Sequence, residues 1–328
     1  MENQIMETKK VFRRIGLALF TMLVGVMLVQ KILEKVLTEV WPNFMEGAWG
    51  IWILIGVPFY AVGIPIFFLM TKKISSGPKG EKKKMSFKEI VVMFIISMAA
   101  VYIFNILGNV INTIIGLIKG SPVKNPLLGL LDGANFFATL LFVGILSPIA
   151  EEIVFRGIML DKLRIYGDKI AICFTALAFG LFHGNLSQFF YAFALGLLFG
   201  YIATKTNRIK YTVIFHMGIN IIGGVMMPLV LKLLPLDKMS DPNGLDQFAP
   251  SAQETLMILG VGLSMMVMVI GIIIAGIILY LKNIKKVELE PGQIEIDPTT
   301  KKRTIYFNIG MILFYGACLV MFVLAILA

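Results

Sequence analysis

The chain has 328 residues, of which 58% are hydrophobic and only 15% charged, and its mean hydropathy is +0.85; soluble domains carry about a quarter charged residues, so a soluble enzyme is excluded and a polytopic membrane protein expected. The net charge of +10 does not mark a nucleic-acid binder, because the Lys and Arg sit in short loops between apolar runs and form no basic face or reading motif. Cys173 and Cys318 both lie inside apolar runs, which leaves neither a disulfide framework nor a zinc-ribbon pair.

In chain order, the basic stretch with Lys9, Lys10, Arg13 and Arg14 precedes an apolar run from about Ile15 that lacks a small-residue cleavage site, so it reads as a retained first span with its basic side cytoplasmic. A second span, about Trp49 to Met70, leads into the basic loop Lys72 to Lys84, expected beside anionic lipid. The third, about Phe87 to Leu117, carries Asn105, Asn109 and Asn112 at helical spacing, a polar stripe suited to interhelical hydrogen bonds.

The fourth span, about Asn135 to Leu160, holds Glu151, Glu152 and Arg156. Each charge costs at least ~2.5 kcal/mol at a helix centre, so three together mark a functional site. Glu152 and Arg156 are four apart and can neutralise one another. Glu151, rotated roughly 100° away, needs a partner from elsewhere in the chain. Pro148 is expected to kink or restart the helix, with Ser147 as the cap of the second segment.

A fifth span runs from about Ile170 to His183, and a sixth, about Leu186 to Thr204, carries Ala192, Gly196 and Gly200, a close-packing series. The seventh follows Lys205 to Lys210 and contains His216 and Asn220. After the Pro-containing loop Leu236 to Glu254 come the eighth span, about Leu256 to Leu281, a polar connector, Lys282 to Thr304, and a ninth span, about Ile305 to Leu327. The expected fold is therefore an all-α transmembrane helical bundle of about nine spans, with every strongly basic loop on one side.

Depth brings the polar residues together. At 1.5 Å per residue, Glu151 lies about 15 Å in from Asp161, His183 about 20 Å from Ile170, His216 about 9 Å from Lys210 and Asn220 about 15 Å from Lys210. The two histidines of the chain both fall within spans, where a titratable ring needs a reason to be. A water between Glu151 and His183 can be deprotonated by the carboxylate, while His216 and Asn220, four apart on one face, can donate to an oxygen that turns negative during attack on a carbonyl. That is a hydrolase arrangement without a Ser or Cys nucleophile. A Zn²⁺ ion held by Glu151, His183 and His216 is the competing arrangement; three separate helices offer no short-range chelate, which favours metal-independent chemistry. No HExxH, GxSxG, P-loop or GxGxxG motif is present.

Glu151-Glu152-Ile-Val-Phe-Arg156, Phe179-Gly-Leu-Phe-His183 and His216-Met-Gly-Ile-Asn220 resemble, in order, the EExxxR, FxxxH and HxxxN motifs of the CPBP family, the membrane CAAX proteases and bacteriocin-processing enzymes. The resemblance covers about Asn135 to Gly224 and implies an intramembrane endopeptidase with a CAAX-protease-like core. Glu151 and His183 match the water-activating residues, His216 and Asn220 the oxyanion donors, and Glu152 with Arg156 the supporting pair. Three parts are expected: spans one to three (1–134), the catalytic core (135–224), and the end of span seven with spans eight and nine (225–328). The implied substrate is a membrane-associated peptide or protein in a bacterial plasma membrane, with no nucleic acid. A non-proteolytic protein of another class, a bacteriocin self-immunity factor or an ion or peptide transporter, would use the same buried cluster for binding.

Overall fold

The computed structural model describes residues 2–44, 47, 49–77, 80–131, 134–231 and 251–328. Among these residues every regular element is helical, as the composition requires for a backbone that must satisfy its own hydrogen bonds in lipid. The long helices are α1 (Glu2–Val40), α2 (Gly50–Thr71), α3 (Phe87–Lys119), α5 (Phe136–Tyr166), α6 (Asp168–Phe182), α7 (Leu186–Thr206), α8 (Lys210–Val230), α9 (Ala252–Lys286) and α11 (Ile309–Leu327), with short helices α4 (Pro126–Leu131) and α10 (Lys301–Ile305) between them. Local sequence sets several starts. Ser86 and Ser251 each close a capping box, with Glu89 and Glu254, and the side chains of Asn135, Asn185 and Asn308 accept the first free backbone N–H groups of α5, α7 and α11.

Among the described residues eight helices are long and apolar enough to cross a membrane. The expected fifth span differs: α6 has 15 residues, about 22 Å, short of the ~30 Å hydrocarbon core. It ends at His183, and Asn185 starts α7 at once, so the turn between α6 and α7 stays at membrane depth. The first helix is longer than its apolar run, taking in the basic stretch from Glu2 onward. The loop expected at Leu236 to Glu254 lies largely outside the described residues.

The expected break at Pro148 does not occur. α5 runs through it, and Ser147 has helical angles (φ −59°, ψ −50°) rather than those of a cap. Two wide π-helical segments, Leu140–Leu146 and Ile153–Leu160, flank the proline. The first gives the ring room where an α-turn would clash with a carbonyl one turn back. A similar segment begins at Pro58 in α2, and another follows Asn220 in α8.

α6 packs along α7, α7 along α3, α1 along α11, and α9 along α3. The small-residue series does what its spacing implies: a Cβ on Gly196 would stand 2.6 Å from the Ala176 backbone, so α6 and α7 meet at backbone distance. α1 and α11 cross as closely, at Gly16 and Gly310. Of the asparagine stripe, Asn112 is buried and donates to Ser187 Oγ at 2.8 Å, while Asn109 donates to Asn105 along its own helix. Both cysteines are free.

The basic loops gather at one end, as expected. Gly77 N–H donates to Asp161 O, Lys83 N–H to Thr206 O, Asp168 N–H to Glu290 O and Ile294 N–H to Ile165 O. Lys162 Nζ reaches Ile74 O, Arg164 pairs with Asp168 and Asn207, and Arg14 donates to Met70 O. The loops after α2, α5, α7 and α9 thus form one hydrogen-bonded layer, beside the basic part of α1.

Candidate active site

The sequence-derived residues converge. α5 carries Glu151 and Glu152, α6 ends on His183, and α8 presents His216 and Asn220. Arg156 Nη1 donates to Glu152 Oε1 at 2.9 Å, both side chains essentially unexposed, so the pair read from the i, i+4 spacing forms. The same oxygen receives His216 Nδ1 at 3.0 Å. One carboxylate therefore holds a guanidinium and an imidazole. The guanidinium plane is further enclosed by Phe179, 4.4 Å from its centre, and Phe199 at 5.5 Å, a dry aromatic setting for a charge already neutralised.

Glu151 lacks such a partner. Its Oε2 is buried with no hydrogen bond from the protein, and the nearest cationic-capable atom is His216 Nε2, 3.8 Å away. The missing partner of Glu151 is therefore the other nitrogen of the ring that Glu152 holds. His183 is oriented differently: its Nδ1 lies 2.8 Å from Phe179 O. A carbonyl only accepts, so Nδ1 carries the proton and Nε2 is left as an acceptor. Phe179 touches both imidazoles edge-on, with centroids 4.9 and 5.8 Å away, and fixes both rings. Asn220 donates from Nδ2 to Val143 O at 3.0 Å, which takes one of its two N–H groups and sets the amide plane.

Glu151, His183, His216 and Asn220 all line one cavity of about 510 Å³, within the usual range for a ligand site. Sequence reasoning missed several of its walls. Tyr60, Gln188 and Tyr191 line it, as does Ser147, whose Oγ is 3.5 Å from Tyr60 OH. Ser147 stands one turn before Glu151 and was legible only as a cap; Tyr60 comes from α2, far outside the motif-bearing segment.

The donor types for a metal are present. In both histidines one ring nitrogen is tied, by a carbonyl or a carboxylate, which is how second-shell groups orient metal ligands. Among the described residues, however, no three His, Cys, Asp or Glu side chains stand close enough to hold an ion, so the arrangement as it stands does not fit a bound metal.

Helices of membrane-spanning length surround a buried glutamate–histidine cluster, the arrangement of a membrane protein with its titratable groups gathered at one internal cavity. Residues 133–222 match the family model described as type II CAAX prenyl endopeptidase Rce1-like. The chain is also similar to the membrane-embedded CAAX protease MroQ of Staphylococcus aureus (strain USA300), 27% identical over 192 residues that make up 55% of this chain and 77% of that one. No solved structure matches. Together these matches support a CPBP-type intramembrane endopeptidase, at the level of the family and not of a particular substrate.

Proposed function

We propose that the chain hydrolyses an internal peptide bond of a membrane-associated substrate with water activated by Glu151. The observation that carries this reading is the contrast within the glutamate pair: Glu152 is shut away from the cavity with its Oε1 bound by both Arg156 and His216, whereas Glu151 lines the cavity and has no cation within hydrogen-bond reach. A carboxylate that lines the cavity beside an imidazole is placed to accept a proton from water and serve as a base.

The steps balance without another reagent. Glu151 takes a proton from water as the oxygen attacks the scissile carbonyl, and His183 Nε2 accepts a hydrogen bond that aims the water. The negative charge on the carbonyl oxygen is met by the second N–H of Asn220, whose first is fixed on Val143 O. His216, whose Nδ1–H donates to Glu152, presents Nε2 beside Glu151; with both ring nitrogens protonated it joins the oxyanion donors, and as the neutral ring it accepts and relays the proton. Collapse breaks the C–N bond, and the proton on Glu151 goes to the departing amine. Glu152 and Arg156 position His216 and do not touch the substrate.

The motif-bearing segment 135–224 supplies the chemistry on this reading, and 1–134 and 225–328 supply walls of the cavity, among them Met27, Trp52, Tyr102 and Met321. The basic end faces the cytoplasm, by the Lys and Arg excess of its loops. Purified protein in detergent, given a quenched apolar peptide, should cleave it, and Glu151→Gln should not; a wild-type preparation that binds the peptide without cutting it would replace the enzyme with a binder or transporter. Stoichiometric Zn²⁺ in active protein, with activity lost to a chelator and restored by metal, would move Glu151, His183 and His216 from base and donors to ligands.

A further inference from the structure

Two cavities of different charge lie among the loops at the basic end. The larger, about 320 Å³, is balanced among the described residues: three cations face four carboxylates, with Lys205 Nζ 3.5 Å from Glu288 and Arg164 bonded to Asp168. The smaller, about 200 Å³, is not: Lys82, Arg156, Arg164 and Arg208 line it against one acidic residue, Asp161. Asp168 answers Arg164 and Glu152 answers Arg156, but among the described residues neither Lys82 nor Arg208 is in an ion pair. Arg208 Nε is buried without a hydrogen bond, and so are Nε and Nη2 of Arg156, a residue that lines this cavity and not the one at Glu151. Guanidinium N–H groups that are buried without an acceptor are costly, so this wall is short of oxygen acceptors.

The wall is also held in shape. Asn207 sits in the left-handed region between α7 and α8, with φ 50°. Its Oδ1 accepts from Arg164 and its Nδ2 donates to Glu81 O at 3.0 Å. Lys83 N–H donates to Thr206 O at 2.9 Å, and Thr206 Oγ1 accepts from Arg208 N–H at 3.3 Å. The loop that carries Lys82 and the turn that carries Arg208 are thereby tied together around the cavity.

Size and place narrow the occupant. The volume is below the roughly 300 Å³ at which sites for drug-sized ligands begin and above the ~30 Å³ of one water, which suits a small polyatomic group. Guanidinium forks match the oxygens of a phosphate. Arg164 stands near the end of the span Phe136–Tyr166, and Arg208 between the spans Leu186–Thr206 and Lys210–Val230, the level of the lipid headgroups.

We propose that this cavity is a binding site for a phosphate group, carried by an anionic lipid or free in solution, with Arg208 and Lys82 as its principal cations. It is distinct from the cavity at Glu151.

Purified protein in detergent is titrated with inorganic phosphate and, separately, with phosphatidylglycerol read against phosphatidylcholine at the same concentration. Ionic strength is held fixed so that screening does not change. The melting temperature should rise saturably with at least one anionic probe, by about 4 °C at a hundredfold excess over Kd. Arg208→Gln and, independently, Lys82→Gln should remove most of that rise, and Lys205→Gln, in the balanced cavity, should keep it. A rise with phosphatidylglycerol alone assigns the phosphate to lipid, with inorganic phosphate alone to a free ion, and with both to the group itself. Loss of the rise in either Arg208→Gln or Lys82→Gln sustains the proposal. No saturable rise with either probe overturns it, as does a rise that survives both substitutions or vanishes equally in Lys205→Gln. Lys82 is exposed on a loop, so its variant decides alone if Arg208→Gln fails to accumulate.

Discussion

Below Glu152 the bundle is filled with phenylalanine and methionine, and above Glu151 it is hollow, so two adjacent residues of one helix work in different media. In the filled half the charges neutralise one another: Arg156, Glu152 Oε1 and His216 Nδ1 form a chain that packing holds in place, although Glu152 Oε2 and two guanidinium nitrogens make no hydrogen bond. In the hollow half Glu151 has no cation within hydrogen-bond reach and lines the cavity with Asn220. The difference teaches that charge in this membrane core is neutralised inside the packing and can meet a ligand only where packing stops.

The sharpest way to break that comparison is to change Glu151. Glu151→Gln should lower turnover by roughly 10³- to 10⁴-fold or to background, with an unaltered melting temperature in detergent; a destabilised Glu151→Gln beside a stable, inactive Glu152→Gln would exchange the two roles. Next in size, Glu152→Gln strands Arg156 in the filled half and should cost about 3 to 5 kcal/mol of stability. Adding Arg156→Met should restore part of it, because both charges are then gone; thermal melts of the single and double variants decide. Asn220→Ala should reduce kcat by about 10²- to 10³-fold with KM little changed, the pattern of a lost transition-state donor. The smallest effect is expected on α9, which packs along α3, has Gly276 as its one fully buried residue and leaves most of its other side chains exposed. Ile274→Ala there, at a side chain 53% exposed, should shift stability by no more than about 0.5 kcal/mol and leave cleavage unchanged.

Much of the site was legible because a membrane makes polar residues conspicuous. Glu151, Glu152, Arg156, His183, His216 and Asn220 stood out in apolar runs, and helical rise alone put them at matching depths. The Glu152–Arg156 bond followed from i, i+4 spacing. That a single imidazole would lie between both glutamates was not readable, since rotation about α8 relative to α5 is set by packing between helices. Nor were the π-helical segments: hydrophobic periodicity does not register one extra residue per turn when all faces are apolar, so Pro148 read as a break where the helix in fact continues. α6 read as a full span because its apolar character runs on into α7, and only the turn at His183 and Gly184 divides them. Tyr60, Gln188 and Tyr191 gave no signal at all, as such residues are ordinary in any membrane helix.

The layer of hydrogen-bonded loops at the basic end also sets an order of assembly. Glu290 N–H donates to Asp168 Oδ2 across 122 residues of chain, and Ile294 closes on Ile165 in the same way. At 5 to 20 residues per second, roughly 6 to 24 s of synthesis separate the appearance of α6 from that of the connector that closes over it. The glutamates and histidines are therefore inserted in the bilayer while this end is still unfinished. A nascent chain halted before the connector would hold the whole cluster of charges without its lid, exposed to protease and to quality control from the basic side.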